Sequence, residues 1–195
     1  MLYQKILVKY KKTSRFSQKI HIFRLEYYCI IRETVIYCGQ LVQRRDNMIA
    51  LGCDHGGYKL KEEIKKYLDE NQIPYKDFGT NSEERTDFPI YAKKVAQAVT
   101  SKECDCGILI CRTGFGMAIT ANKFKGIRCA ACYDESTAKQ AKEHSNINIL
   151  ALPADYINIS KAVSMIRVWL GSEFLKGRYL ERVQMINEIE KENMK

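Results

Sequence analysis

Cys111 ends the apolar run GILIC and stands directly before Arg112 and the turn Thr113-Gly114-Phe115-Gly116. A thiol acts as a base only as the thiolate, and a helix N-terminus just after it favours that anion. Glycine lets a chain pass close to a ligand, so backbone N–H groups of this turn can point at an oxyanion. A base beside an oxyanion cradle is what proton abstraction next to a carbonyl requires. The same residues also suit a buried cysteine followed by an ordinary strand-to-helix turn. Asp54 and His55 stand together in CDHGG, and His144 precedes another apolar run. Both histidines fit proton transfer or structural hydrogen bonding, and Asp54 fits a helix cap equally well. Arg178 and Arg182, spaced i, i+4, share a helix face that could clamp a phosphate or simply be solvated.

The elements that must position these residues begin at Met48. MIALGC, IPYKDFG, CGILIC, GIRCAAC and INILAL read as strands. Between them lie stretches of helical character. YKLKEEIKKYLDEN puts Leu60, Ile64, Tyr67 and Leu68 on one face. FPIYAKKVAQAVTS carries Pro89 in its first turn, where no N–H is needed. GFGMAITANKF and DESTAKQAKEHS read as further helices, and two closing helices are expected over residues 158–170 and about 172–193. This alternation predicts an α/β fold: a Rossmann-like three-layer α/β/α sandwich on a five-stranded parallel sheet. Ligands bind such sheets beyond the carboxyl ends of the strands, where CDHGG, CRTGFG and His144 are all expected.

Composition narrows the options. With 195 residues, 46% of them hydrophobic, the chain suits one domain with its own core. Of the net charge of +9, residues 1–47 contribute +7, from ten Lys/Arg and three Asp/Glu. Residues 48–195 are therefore nearly neutral, and a case for nucleic-acid binding from overall charge reaches only the first segment. That segment is a basic N-terminal extension outside the fold plan. It is read as upstream sequence with the start at Met48, or as a basic targeting or docking tail, or as an added helical element.

The eight cysteines do not form a disulfide framework, since Cys53, Cys106, Cys111, Cys129 and Cys132 fall in apolar runs. Cys129 and Cys132 have C-x-x-C spacing but lack the turn glycines of a zinc or redox loop. The apolar patch YYCII is too short for a signal or a membrane span, so a reducing cytoplasm is the expected home. TGFG lacks the full G-x-G-x-x-G, and there is no G-x-x-x-x-G-K, so nucleotide-binding readings are weak.

Taken together, GCDHGGYKLK, SEERTDFP, GILIC with its following T-G-x-G and ANK, EHSNINILAL and GRYLERV resemble the type B ribose-5-phosphate isomerases and the related galactose-6-phosphate isomerase subunits. The resemblance runs from Met48 to about Ile189 and does not reach residues 1–47. It implies an aldose–ketose isomerase needing no metal or cofactor, working as a homodimer or homotetramer with shared sites. It implies neither a nucleic-acid nor a membrane partner. By motif, Cys111 is the base that moves a proton between C1 and C2 through an enediolate. The backbone of Arg112, Thr113, Gly114, Phe115 and Gly116 is the anion hole. His144 opens the sugar ring as acid, Asp54 and Thr113 hold ring hydroxyls, and His55, Arg178 and Arg182 lie near the phosphate.

The departures from the family are specific. Arg112 stands where glycine is usual, Ser145 where asparagine follows the histidine, Asp155 where arginine is common, and Tyr179 where histidine is frequent. The lost cation at 155 and the gained one at 112 suggest compensation, a different four- or six-carbon sugar phosphate, or a weakened site that only binds.

Overall fold

The computed structural model describes residues 48–194 and, before them, the backbone of three short antiparallel strands, β1 (Ile30–Ile31), β2 (Thr34–Tyr37) and β3 (Gln40–Gln43). The sequence shows no sustained period there, so nothing in its pattern announces these strands. The readings of residues 1–47 as upstream sequence, tail or added helix otherwise lie outside the described residues. The chain divides into two units, Met1–Arg45 and Asp46–Lys195.

The second unit carries a five-stranded sheet of β4 (Ile49–Cys53), β5 (Tyr75–Asp77), β6 (Cys106–Cys111), β7 (Cys129–Ala131) and β8 (Ile149–Pro153). The order is β5-β4-β6-β8-β7 and every pairing is parallel. Six helices accompany it: α1 (Tyr58–Glu70), α2 (Phe88–Thr100), α3 (Phe115–Ala121), α4 (Glu135–Ser145), α5 (Ile159–Gly171) and α6 (Arg178–Asn193). The central strands β4, β6 and β8 are buried along their whole length, which explains their nearly continuous apolar sequence.

Strand alternation sorts the core into two layers. Ile49, Leu51, Ile108, Ile110, Leu150 and Leu152 pack with Leu60, Ile64 and Leu68 of α1 and Met165, Ile166 and Trp169 of α5. Ala50, Leu109, Cys111, Ile149 and Ala151 pack on the other face with Val95 and Val99 of α2 and Met117 and Ala121 of α3. Each fully buried Leu or Ile stabilises the fold by about 1.5–3 kcal/mol, so the layers rather than the polar groups dominate. The three-layer expectation therefore holds.

Local signals set the ends. Asp134 accepts the Thr137 N–H in a reciprocal capping box at the start of α4. Asn146, in the left-handed conformation, ends that helix. The last helix starts at Arg178, not near 172, because Lys176 and Gly177 both adopt positive φ and interrupt the turn.

Candidate active site

Cys111 is the last residue of β6, with its side chain buried on the α2/α3 face. The Gly114 N–H donates to its Sγ over 3.1 Å. Gly114 has φ +78°, which only glycine adopts without strain, and it opens α3. The turn therefore folds back on the thiol and aims an N–H at the atom that would carry negative charge. Tyr133, just after β7, donates its hydroxyl to the Thr113 carbonyl at 2.8 Å and steadies the same turn. Its ring also contacts Phe115 and Tyr156.

Asp54, at the end of β4, is buried and accepts the N–H groups of Gly56 (2.9 Å) and Gly57 (3.1 Å). The capping geometry is thus real, around a single 3₁₀ turn, His55–Gly57. Burial pushes the Asp54 carboxyl above the ordinary range, opposed by those N–H groups and by the neighbouring His55 and Arg112 side chains. His55 Nδ1 lies 3.0 Å from the Thr86 carbonyl oxygen and 3.3 Å from its backbone nitrogen. It donates to the first or accepts from the second according to tautomer.

Arg112 spans this edge. Its Cγ lies 2.6 Å from where a β-carbon on Gly56 would stand, and its guanidinium reaches Asp155 at 3.6 Å. Asp155 also donates its backbone N–H to the Arg112 carbonyl. The two departures at 112 and 155 are therefore partners in one exposed ion pair.

His144 is not on this edge, contrary to the expectation from sequence. It sits in the last turn of α4, and the chain then passes through Asn148, whose carbonyl accepts from Gly107 at the start of β6. That is the amino end of the strands. β6 and β8 run in register from Gly107↔Ile149 to Cys111↔Pro153, a span of about 13 Å at 3.3 Å per residue. A residue just before a strand lies at its start, whereas a residue just after one lies at its carboxyl end; only the second location is a ligand edge.

At the amino edge His144 has its own company. Its ring stacks on Tyr179, with centroids 4.2 Å apart and planes 5° from parallel. The Arg178 and Arg182 guanidinium carbons lie 5.0 and 5.9 Å from the Tyr179 centroid, and Arg178 donates to the Tyr179 hydroxyl at 3.1 Å. Ser145 follows, exposed, at the helix end. The structure thus brings together Asp54, His55 and Cys111 to Gly116 on one edge, and His144, Ser145, Arg178 and Arg182 on the other.

Sequence reasoning missed Lys61. Its ammonium is fully buried and bonds Asp77 at 2.8 Å and the Thr80 carbonyl at 2.7 Å. Thr80 donates in turn to the Cys53 carbonyl, so Lys61 pins the loop that leads to Thr86. Its spacing from Ile64 and Leu68 on the apolar face was the available signal. Cys129 and Cys132 face opposite core layers, which separates the C-x-x-C pair. Among the described residues no group of three or more His, Cys, Asp or Glu is placed to hold a metal ion. No helix of the described residues is long and apolar enough to cross a membrane.

The sequence pattern of the ribose/galactose isomerases matches residues 49–186. The chain belongs to this family. Ribose-5-phosphate isomerase B of Escherichia coli is 44% identical over 142 residues, covering 73% of this chain and 95% of that protein. The structure of ribose-5-phosphate isomerase B from Clostridium thermocellum is similar with TM-score 0.73 and 46% identity, over 74% of this chain and 98% of the other. That of the Mycoplasma genitalium ribose-5-phosphate isomerase B with bound ribulose-5-phosphate gives TM-score 0.71 and 35% identity, over 75% and 97%. Both carboxyl-edge and amino-edge residues of this isomerase lie inside the matched span.

Proposed function

We propose that the chain interconverts ribose 5-phosphate and ribulose 5-phosphate, with residues 48–195 as the catalytic unit. The observation that carries this is the Cys111 thiol at the end of β6, bonded by the Gly114 N–H, within a sugar-phosphate isomerase family. With the sugar ring open, the Cys111 thiolate takes the proton on C2. The C–H electron pair forms a C1=C2 double bond and the aldehyde oxygen becomes the oxyanion. Backbone N–H groups of residues 112–116 stabilise that charge. The thiol then returns a proton to C1, and the proton on O2 passes to O1, so one hydrogen moves along carbon and one along oxygen. His144 donates a proton to the ring oxygen as the ring opens, Asp54 and Thr113 hold hydroxyls, and His55, Arg178 and Arg182 face the phosphate.

These roles lie on opposite sheet edges, so we further propose that the working enzyme is a dimer or a larger assembly of dimers. One copy supplies Asp54, His55 and Cys111 to Gly116, and its neighbour supplies His144, Ser145, Arg178 and Arg182. The six described cysteines are free thiols, which suits a reducing cytoplasm.

A second reading keeps the reaction and changes the sugar. The Arg112–Asp155 pair at the mouth of the carboxyl edge favours it, because it alters the charge a substrate meets there. Assaying ribose 5-phosphate against four- and six-carbon aldose phosphates tests both readings. The expected result is the highest kcat/KM on ribose 5-phosphate; a much higher value on another sugar would transfer the assignment to it. Binding without turnover of any sugar would make the chain a sensor.

A further inference from the structure

The amino-edge cluster contains a residue with no assigned role: Tyr179. It touches both groups that the proposed function needs there. His144 stacks face to face on its ring at 4.2 Å and 5°. Both guanidinium groups lie within 6 Å of the same ring, a distance at which a cation is held by the aromatic quadrupole. Arg178 is fixed further by its bond to the Tyr179 hydroxyl. The backbone joins in, since Leu175 donates its N–H to the Glu143 carbonyl and docks the approach to α6 on the last turn of α4. Two helices far apart in sequence thus converge on one aromatic ring.

We propose that Tyr179 is a positioning residue that presets His144 and the Arg178/Arg182 pair as a single unit. This rests on the proposed function, in which the histidine acts at the sugar ring and the arginines hold the phosphate. An exposed arginine retains many rotamers, and an imidazole on a helix end can turn about its side-chain bonds. Stacking removes that freedom before substrate arrives, which reduces the ordering cost on binding. It also sets the separation between acid and phosphate clamp, so one residue serves both ends of the substrate. The ring plane orients His144, and the hydroxyl together with the ring face orients the guanidinium groups.

Tyr179→Ala and Tyr179→Phe in the full chain separate these functions. Steady-state turnover of ribose 5-phosphate, competitive inhibition by inorganic phosphate and NMR of the His144 ring protons are the readouts. In Tyr179→Ala kcat falls about 10–100-fold through misplacement of the acid, phosphate inhibition weakens, and the upfield ring-current shift of His144 is lost. Tyr179→Phe keeps the stack, so it recovers the His144 shift and most of kcat. It retains a KM raised about 2–10-fold through the lost Arg178 bond. Thermal unfolding of both variants shows that each is folded. Wild-type kcat and an unchanged His144 shift in the alanine variant would overturn the proposal. So would a phenylalanine variant as damaged in kcat as alanine, since the hydroxyl and not the stack would then matter. If the wild type does not turn over ribose 5-phosphate, the proposed substrate fails, while the His144 shift and phosphate binding still decide the role of Tyr179.

Discussion

The two edges of the sheet are built from different materials. At the carboxyl edge the functional atoms are backbone amides and short side chains set on fully buried strands: Cys111, Asp54, and the turn at Gly114. At the amino edge they are long side chains on two helix ends, with Arg178 and Ser145 exposed and order coming from stacking on Tyr179. Charge that develops only in the transition state is best met by groups that need not move. A phosphate, charged throughout, can be met by long cationic side chains that an aromatic neighbour holds in place. In the proposed site the proton-abstracting thiol therefore rests on backbone fixed by the sheet, while the ring-opening acid and the arginines of the phosphate clamp rest on stacked helix ends at the opposite edge of the same sheet.

Four substitutions probe the two edges separately. The largest effect is expected from Cys111→Ala, which should lower kcat about 10²–10⁴-fold with little change in thermal midpoint. Robust turnover would remove the thiol from the chemistry. Lys61→Met tests how far the carboxyl edge depends on its buried support. Removing the ammonium leaves the Thr80 carbonyl unbonded and Asp77 with Lys65 and the Gly79 N–H alone, costing about 1–3 kcal/mol by denaturant unfolding.

The same pair predicts a pH signature. Burial alone would raise Asp77, but the bonds from Lys61, Gly79 and Lys65 outweigh it and hold the carboxyl below its ordinary value. Its stability contribution is therefore complete above the unfolded-state pKa and is lost as pH falls through the depressed folded value. For Lys61, burial lowers the value, but the bond and charge of Asp77 together with Cys53 and Glu62 outweigh it and leave it raised; that contribution is lost only as pH rises past the ordinary lysine range. The acid-side fall of the thermal midpoint should be steeper in wild type than in Lys61→Met.

Arg182→Ala should act on the other edge alone. It should raise KM about 10–100-fold, the weight of a charge-assisted contact, while stability stays near wild type. The smallest effect is expected from Asp155→Asn, because the Arg112–Asp155 pair is exposed on both sides and worth about 0–1 kcal/mol. A change in sugar preference without a change in unfolding would mark it as a specificity device.

The fold was legible because strand and helix periods are written in the apolar residues. Runs such as GILIC and the Leu60–Ile64–Leu68 face admit few other arrangements. The thiol and its turn were legible too, since a cysteine ending a buried strand before T-G-x-G constrains its own neighbourhood. His144 was misplaced because proximity to a strand in sequence does not say which end of it a residue occupies; helix direction decides that. Lys61 was read past because a charged residue within an apolar face looks like its solvated border until its partners, Asp77 and Thr80, arrive from elsewhere in the chain. The Arg112–Asp155 pair depends on β6 and β8 being neighbours, which residue spacing does not state.

In the proposed dimer each active site takes its thiol from one copy and its histidine from the other. Mixing separately inactive Cys111→Ala and His144→Ala chains, after mild dissociation and reassociation, tests it most directly. Random pairing in a two-fold dimer should restore roughly a quarter of wild-type turnover, because each mixed dimer holds one intact site. Mixed dimers that form, as seen by native mass spectrometry, yet remain as inactive as their parents would contradict it.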